Sequence, residues 1–449
     1  MEKLLSKTAF MHLLECPLRL WMESVRPELV PPSSAIDRQA MENGEQVDVL
    51  AQRLFPGGVK IEGFNRVGFA NTQKAIAKGA KILYQPSAVA DGLTARADIL
   101  VRGQGKTWDL HEVKATTSVK REHPVDVAFQ KMCFERAGIP IGNTFLVRLN
   151  NRYVRDGEID VAGLLKEEDV TQDAARFEDR IPEFIEQARE VMSWGKQLTP
   201  AQLRTCSNPR KCAFLAAYLE AVGAGKRAEI FESDPSFDSE AIAQALGELV
   251  YPLHFLDYET FGGAIPPFNG FRPYEQIPFQ FAVYVLDEPG GTPRTFDFLA
   301  DTFADPSVEL VDALREAIGP DGSVIAWNAI FEKSCNEGLA KRVPAHAKFL
   351  RSINKRMFDL MLIFKRKLYD DPAFNKSASL KAVMPVMEPD LSYKNLNIQE
   401  GGTASASWPI LTDPKLPKAK RTALHRDMID YCRLDVYGMV RILQKLDRL

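Results

Sequence analysis

Phe255-Leu256-Asp257-Tyr258-Glu259-Thr260 sets two carboxylates two residues apart. Side chains at that spacing on a strand share a face, so a buried strand opening at His254-Phe255-Leu256 projects Asp257 and Glu259 from one side, an arrangement that holds a metal ion. Toward the other end, Tyr431-Cys432-Arg433-Leu434-Asp435 places a phenol and a carboxylate four apart. On an amphipathic helix they share a face, and together they suit the holding and deprotonation of a water. Between these marks lie Trp327-Asn328-Ala329-Ile330-Phe331-Glu332 and Met357-Phe358-Asp359-Leu360, with Asp359 read as a supporting acid rather than a ligand. Carboxylates converging on one pocket suit Mg²⁺ or Mn²⁺, which favour oxygen ligands, and phosphodiester hydrolysis uses two such ions about 3.5–4 Å apart.

The first half carries a second constellation. Thr94 to Arg102 and Thr107 to Ala115 read as two strands of a hairpin joined by Gly103-Gln104-Gly105-Lys106. Glu112 and Lys114 then share a face, and Asp98 comes from the first strand. Two acids for a metal ion and an ammonium that positions water or offsets charge on a phosphate make a hydrolytic set. Glu-x-Lys alone is a common alternation on exposed strands; the addition of Asp98 is what carries the reading.

The second-half pattern resembles the DEDD exonucleases of the RNase H-like fold, in the tyrosine-type class. Asp257-x-Glu259 is similar to the family's first motif and Tyr431-x-x-x-Asp435 to its third. Asn328-x-x-Phe331 fits the second motif, but the acid that follows is Glu332 where most members carry Asp. The added methylene moves the carboxylate by about 1.5 Å. A metal site absorbs that through a water or a backbone adjustment, or it loses activity, and both outcomes stay open. Phe358-Asp359-Leu360 and Ser379-Leu380-Lys381 continue the likeness.

Asp98, Glu112 and Lys114 resemble the core of the PD-(D/E)XK nuclease fold in its RecB-like form. That likeness implies a role for Gln130, which with Phe134 has the spacing of the family's Gln-x-x-x-Tyr helix. It also implies a metal ligand at Glu45, in Gly44-Glu45, where the family carries a His or Glu. Cys16, Cys206 and Cys212 are similar to the early and late cysteines with which such nucleases hold a [4Fe-4S] cluster. Four thiolates are usual. Leu203 stands where a Cys-x-x-Cys partner of Cys206 belongs, which leaves open a cluster on three protein thiolates, a lost cluster, or three reduced cysteines without a ligand.

Both halves together resemble a bacterial family that joins a RecB-like module with cysteines to a DEDD exonuclease-like domain. Leu5-Ser6-Lys7-Thr8, Leu54-Phe55-Pro56-Gly57-Gly58 and Asp257-Tyr258-Glu259-Thr260 carry that likeness. It implies an α/β protein: a PD-(D/E)XK restriction-endonuclease-like domain over residues 1–220, a helical linker over 221–249, and an RNase H-like DEDD domain over 250–449. Nucleic acid, DNA before RNA, is the implied partner. The competing reading is a nucleic-acid-binding or complex-forming protein whose sites have decayed.

Composition bounds the class. With 26% charged and 45% hydrophobic residues the chain is globular, and no apolar run reaches the roughly 20 residues of a membrane helix. The opening residues lack a signal-peptide core, so a cytoplasmic location is expected. A net charge of −3 offers no global attraction for nucleic acid, which leaves local patches such as Lys120-Arg121, Lys341 to Arg366, and Lys415 to Arg426.

Overall fold

The run Thr94 to Arg102 does not form one strand. In the computed structural model, which describes residues 4–203, 212–223 and 235–449, it breaks at Ala97-Asp98 into β5 (Leu93–Arg96) and β6 (Ile99–Arg102), and these join different sheets. Asp98 therefore sits in the break and not on a strand. The molecule is mixed α/β and divides into two compact units, Met1–Lys226 with Gly263–Tyr274, and Arg227–Gly262 with Glu275–Leu449.

In the first unit, a three-stranded sheet has the order β1 (Leu5–Ser6), β5, β4 (Ser87–Ala90). A six-stranded sheet runs β2 (Val59–Lys60), β3 (Ile82–Tyr84), β6, β7 (Trp108–Lys114), β8 (Ile141–Leu149), β9 (Leu165–Asp169). β6 and β7 form the hairpin foreseen from the glycine-rich turn, with Ile99 opposite His111, whereas β7 and β8 are parallel. The crossover between these two is helix α3 (Glu122–Arg136), buried through Phe129, Cys133 and Phe134. It begins eight residues before Gln130, because the apolar residues Val125, Val127 and Ala128 already pack inward.

Two other helices position the first site. α1 (Lys7–Glu15) is capped by the Ser6 hydroxyl, which accepts from the Ala9 N–H at 3.1 Å. Its Phe10 stacks on Phe129 with centroids 4.3 Å apart. α2 (Ala35–Gln52) starts in a reciprocal Ser34–Asp37 capping box and buries only Val47 and Ala51.

The second unit is built on a five-stranded sheet ordered β13 (Arg294–Leu299), β12 (Ile277–Leu286), β11 (Leu253–Phe261), β14 (Val324–Ala326), β15 (Met357–Asp359). β11, β12 and β13 are an antiparallel meander, and β14 and β15 add in parallel to β11. Buried on both faces, β11 and β12 read as near-continuous apolar runs, as central strands covered by helices do. Helices α4 (Ala329–Arg342), α5 (Gly401–Leu411) and α6 (Lys418–Leu446) carry or approach the site residues. Part of the stretch assigned to a linker belongs here: β10 (Ser236–Phe237) pairs with β16 (Tyr369–Asp370), and the helix Ser239–Leu246 follows it. A helix over Leu380–Met387 carries Pro385 inside it.

Candidate functional site

The second unit brings Asp257, Glu259 and Asp435 together. Each offers a carboxylate oxygen within 4.8 Å of the other two, and among the described residues no other group of three or more His, Cys, Asp or Glu converges this way. β11 supplies the first pair by alternation, and α6 supplies Asp435 one turn after Tyr431. Glu332, on the first turn of α4, is 3% exposed, and its Oε2 has no hydrogen-bond partner. A buried, unpartnered carboxylate oxygen is costly without a cation.

α4 is aimed by its start. Asn328 takes a left-handed conformation (φ 85°), which Asn tolerates better than most residues, and its N–H donates to Asp359 Oδ1 at 3.1 Å. The same oxygen accepts from Met361 N–H at 3.2 Å. Asp359 thus fixes backbone on either side of it.

Burial pushes the carboxyls of Asp257, Glu259 and Glu332 well above the ordinary range, and repulsion from neighbouring acids adds to it: from Asp435 at Asp257, from Asp257 and Asp435 at Glu259, and from Asp257 and Glu259 at Glu332. Burial also raises Asp435, but only to about 6, because hydrogen bonds from Tyr393 and Tyr431 and the Lys381 ammonium favour its charged form. A set of crowded oxygens with raised proton affinity fits a hard divalent cation such as Mg²⁺ or Mn²⁺.

Four residues around this site carried no recognised role in the sequence. Tyr393 donates its hydroxyl to Asp435 Oδ1. Lys381 lies over the rings of Tyr393 and Tyr431, 5.4 and 5.3 Å from their centroids, and donates to Gln399 O at 2.6 Å. The Cys432 thiol lies 3.7 Å from Asp257 Oδ2. Gly401 opens α5 beside Glu259 and Tyr431, so the positive end of a helix dipole approaches the acids. Of these, Lys381 lies in the Ser379-Leu380-Lys381 stretch and Cys432 inside Tyr431-x-x-x-Asp435.

The first unit arranges its charges differently. Glu112, 1% exposed, accepts from both Lys7 Nζ and Lys114 Nζ on Oε1 at 2.7 Å, and from Gln130 Nε2 on Oε2 at 2.8 Å. Asp126 accepts from Lys114 at 2.6 Å and from Gln130 at 2.9 Å. Burial opposes the charge on Glu112, yet the two ammoniums hold it well below the usual carboxylate range. Asp98 accepts from Val113 N–H at 2.7 Å, and burial next to Glu112 pushes it up to about 8.

Glu45 is exposed and takes no part in this cluster. Its place belongs to Asp48, which shares the Gln85 amide with Asp98 at 3.0 and 3.2 Å and has a buried, unpartnered Oδ1. The helical repeat explains the shift: with Val47 and Ala51 facing inward, Asp48 lies beside that face and Glu45 lies opposite it. Asp126 was equally available, four residues before Gln130 on one helix face. Asp98, Glu112 and Glu45 do not fit a metal as they stand, because one is remote and Glu112 already has protein donors on both oxygens.

Cys206 lies outside the described residues. Cys16 and Cys212 are free, each at the N-terminus of a nine-residue helix (Pro17–Val25 and Ala213–Ala221), and both pack on one apolar core. No helix among the described residues is long and apolar enough to cross a membrane.

Residues 254–379 match the model of a family described as a domain of unknown function, DUF2779. The match takes in Asp257, Glu259 and Glu332 and ends before Tyr431 and Asp435. No curated protein sequence matches the chain. A solved structure, "Crystal structure of SSO0001", is similar at 14% identity with a TM-score of 0.23, covering 47% of this chain and 86% of that one.

Proposed function

We propose that this protein is a metal-dependent nuclease that hydrolyses phosphodiester bonds of nucleic acid, DNA before RNA, with 3′–5′ exonuclease chemistry in the second unit. The observation that carries the reading is the convergence of Asp257, Glu259 and Asp435 within 4.8 Å, with Tyr431 on the same helix face as Asp435. On this reading the second unit is an RNase H-like DEDD domain of the tyrosine type, and the first is a RecB-like PD-(D/E)XK domain.

Asp257, Glu259, Asp435 and Glu332 would hold Mg²⁺ or Mn²⁺, which supplies activation of a water and stabilisation of the leaving oxygen. Tyr431 is held protonated: burial and the nearby carboxylates push its phenol far above the usual range. That fits it to orient the water as a donor rather than to deprotonate it. Tyr393 and Lys381 hold Asp435 and the two phenol rings in place.

The test is digestion of end-labelled single- and double-stranded DNA and RNA with Mg²⁺ or Mn²⁺. Asp257→Ala should lower trimming by about a thousandfold or more while the thermal melt stays cooperative, in line with loss of a group essential to the transition state. Undiminished trimming by that variant sinks the assignment. A second reading, binding without turnover by the first unit, is favoured by the two lysines already sharing Glu112 Oε1. Cleavage that survives Asp257→Ala and disappears with Lys114→Ala would overturn that second reading. A [4Fe-4S] cluster on Cys16, Cys206 and Cys212 belongs to the same proposal; brown, iron-containing protein from anaerobic purification supports it, and colourless protein with no iron ends it.

A further inference from the structure

The first cluster contains a cation that comes from far away in the chain. Lys7 lies 105 residues before Glu112, and two local features put it there. β1 pairs in parallel with β5, Leu5 beside Leu93 and Ser6 beside Thr94, and the Ser6 cap turns the chain into α1 immediately afterwards. Phe10, one turn on, is stacked on Phe129 of the helix that carries Asp126 and Gln130. Lys7 is thereby aimed at the carboxylates by packed backbone on both sides.

At Glu112 the oxygens are taken. Oε1 receives two ammoniums and Oε2 an amide N–H, and a carboxylate oxygen offers about two lone-pair sites. The two lysines are not tied equally. Lys114 has a second short contact, 2.6 Å to Asp126 Oδ2, whereas the second contact of Lys7 is 3.8 Å to Asp126 Oδ1. Lys7 also sits at the first position of α1, where the helix dipole disfavours a cation. Its side chain keeps 21% of its surface exposed, which leaves it a route to solvent.

We propose that Lys7 is the resident cation of the first cluster, and that a divalent ion reaches Glu112 Oε1 only by displacing the Lys7 ammonium. Lys114 stays on Asp126 in either state; Lys7 is the group that leaves. The inference concerns competition for one oxygen and does not depend on whether either unit cleaves nucleic acid.

The experiment is Mn²⁺ titration followed by the electron paramagnetic resonance of the free ion, on the full chain with the second site silenced by Asp257→Asn and Glu259→Gln. Adding Lys7→Met should tighten Mn²⁺ binding at the first cluster by about tenfold or more, since the competitor is gone. Adding Glu112→Gln to that variant should abolish the gain. Equal Mn²⁺ affinity with and without Lys7→Met overturns the proposal, as does a gain that survives Glu112→Gln. Should Lys7→Met fail to melt cooperatively, the unaltered chain decides. Acetylation of Lys7 by an amine-reactive anhydride, read by peptide mass spectrometry, should rise several-fold as Mn²⁺ is raised through the millimolar range. A Lys7 labelling rate indifferent to Mn²⁺ overturns the proposal.

Discussion

The two acidic clusters of this protein are built from the same residue types and reach opposite electrostatic solutions. In the first unit, Glu112 and Asp126 face Lys7, Lys114 and Gln130, so nearly every charged oxygen has a donor from the protein itself. In the second unit, Asp257, Glu259 and Asp435 share one ammonium, Lys381, which is engaged with Gln399 O, while Glu332 is acted on by Asp257 and Glu259. Burying charge is costly unless it is paired. The first cluster meets that cost at Glu112 and Asp126 with lysines. The second has raised proton affinity at every acid, the state that an added cation would relieve. Counting acids therefore cannot separate a closed ion-pair network from a metal centre; the donors around each oxygen can.

The sharpest way to break this comparison is to neutralise one acid in each cluster and measure stability without metal. Glu112→Gln removes the shared acceptor of two ammoniums, and breaking a buried pair of this kind costs about 3 kcal/mol or more. Asp257→Asn removes one of several crowded carboxylates whose burial and mutual repulsion disfavour charge, and should stabilise the metal-free chain. Denaturant melts read both. Shifts of the same sign would show that the two clusters are not opposites.

A slightly smaller effect is the dependence of metal-free stability on pH. Asp435 is raised from 3.8 to about 6 on folding, so the folded state binds its proton more tightly than the unfolded chain. The stability this gives is fully present below the unfolded pKa and is lost as pH rises through about 6. Asp98, raised to about 8, extends the loss in the first unit toward that pH. Glu112 is depressed and acts in the other sense, its contribution being lost as pH falls below its unfolded value of 4.5. The melting temperature of metal-free protein should fall between about pH 4 and pH 6 by several degrees, and Mn²⁺ should remove that fall. A flat profile with no response to Mn²⁺ would contradict the crowded-acid description.

How much of this was legible in the sequence differs between the clusters for the same reason that their electrostatics differ. Asp257 with Glu259, and Tyr431 with Asp435, announce themselves because strand and helix periods fix which neighbours share a face. Glu112 and Lys114 were legible on the same ground. Glu45 was placed by family position, and the buried pair Val47 and Ala51 would have pointed to Asp48 instead. Lys7, Tyr393 and Lys381 come from elements whose approach is decided by tertiary packing, so no spacing rule reaches them. The break at Ala97-Asp98 was also hidden, since the run has uniform strand character and only the departure of β5 into another sheet interrupts it.

Tyr393→Phe probes a donor that sequence spacing could not supply. Its hydroxyl bonds to the Asp435 carboxylate, and a hydrogen bond to a charged group is worth about 1.5–3 kcal/mol. Because that bond favours the charged form, its loss should raise the Asp435 pKa. On the proposed nuclease reading, the acid limb of the Mn²⁺-dependent cleavage rate should then move to higher pH, with a fall of about tenfold at pH 6 and less at pH 8. A uniform fall at every pH would mean that Tyr393 only supports packing.

The mildest change is Glu332→Asp. Glu332 is buried with one orphaned oxygen, and burial together with the charges of Asp257 and Glu259 raises its proton affinity. Shortening the arm by one methylene withdraws the carboxylate by about 1.5 Å and opens a gap of one buried CH₂, worth about 1 kcal/mol. If the oxygen's role is to contribute charge to a cation held chiefly by Asp257, Glu259 and Asp435, Mn²⁺ affinity should change by less than about tenfold, the equivalent of 1.4 kcal/mol. Titration of Mn²⁺ against Glu332→Asp and Glu332→Gln separates the two possibilities. A small loss for Asp and a larger one for Gln identifies charge as what matters. An equally large loss for both would show that the backbone at the start of α4 is set for the longer side chain, and that Glu332 binds the ion as directly as the three acids it accompanies.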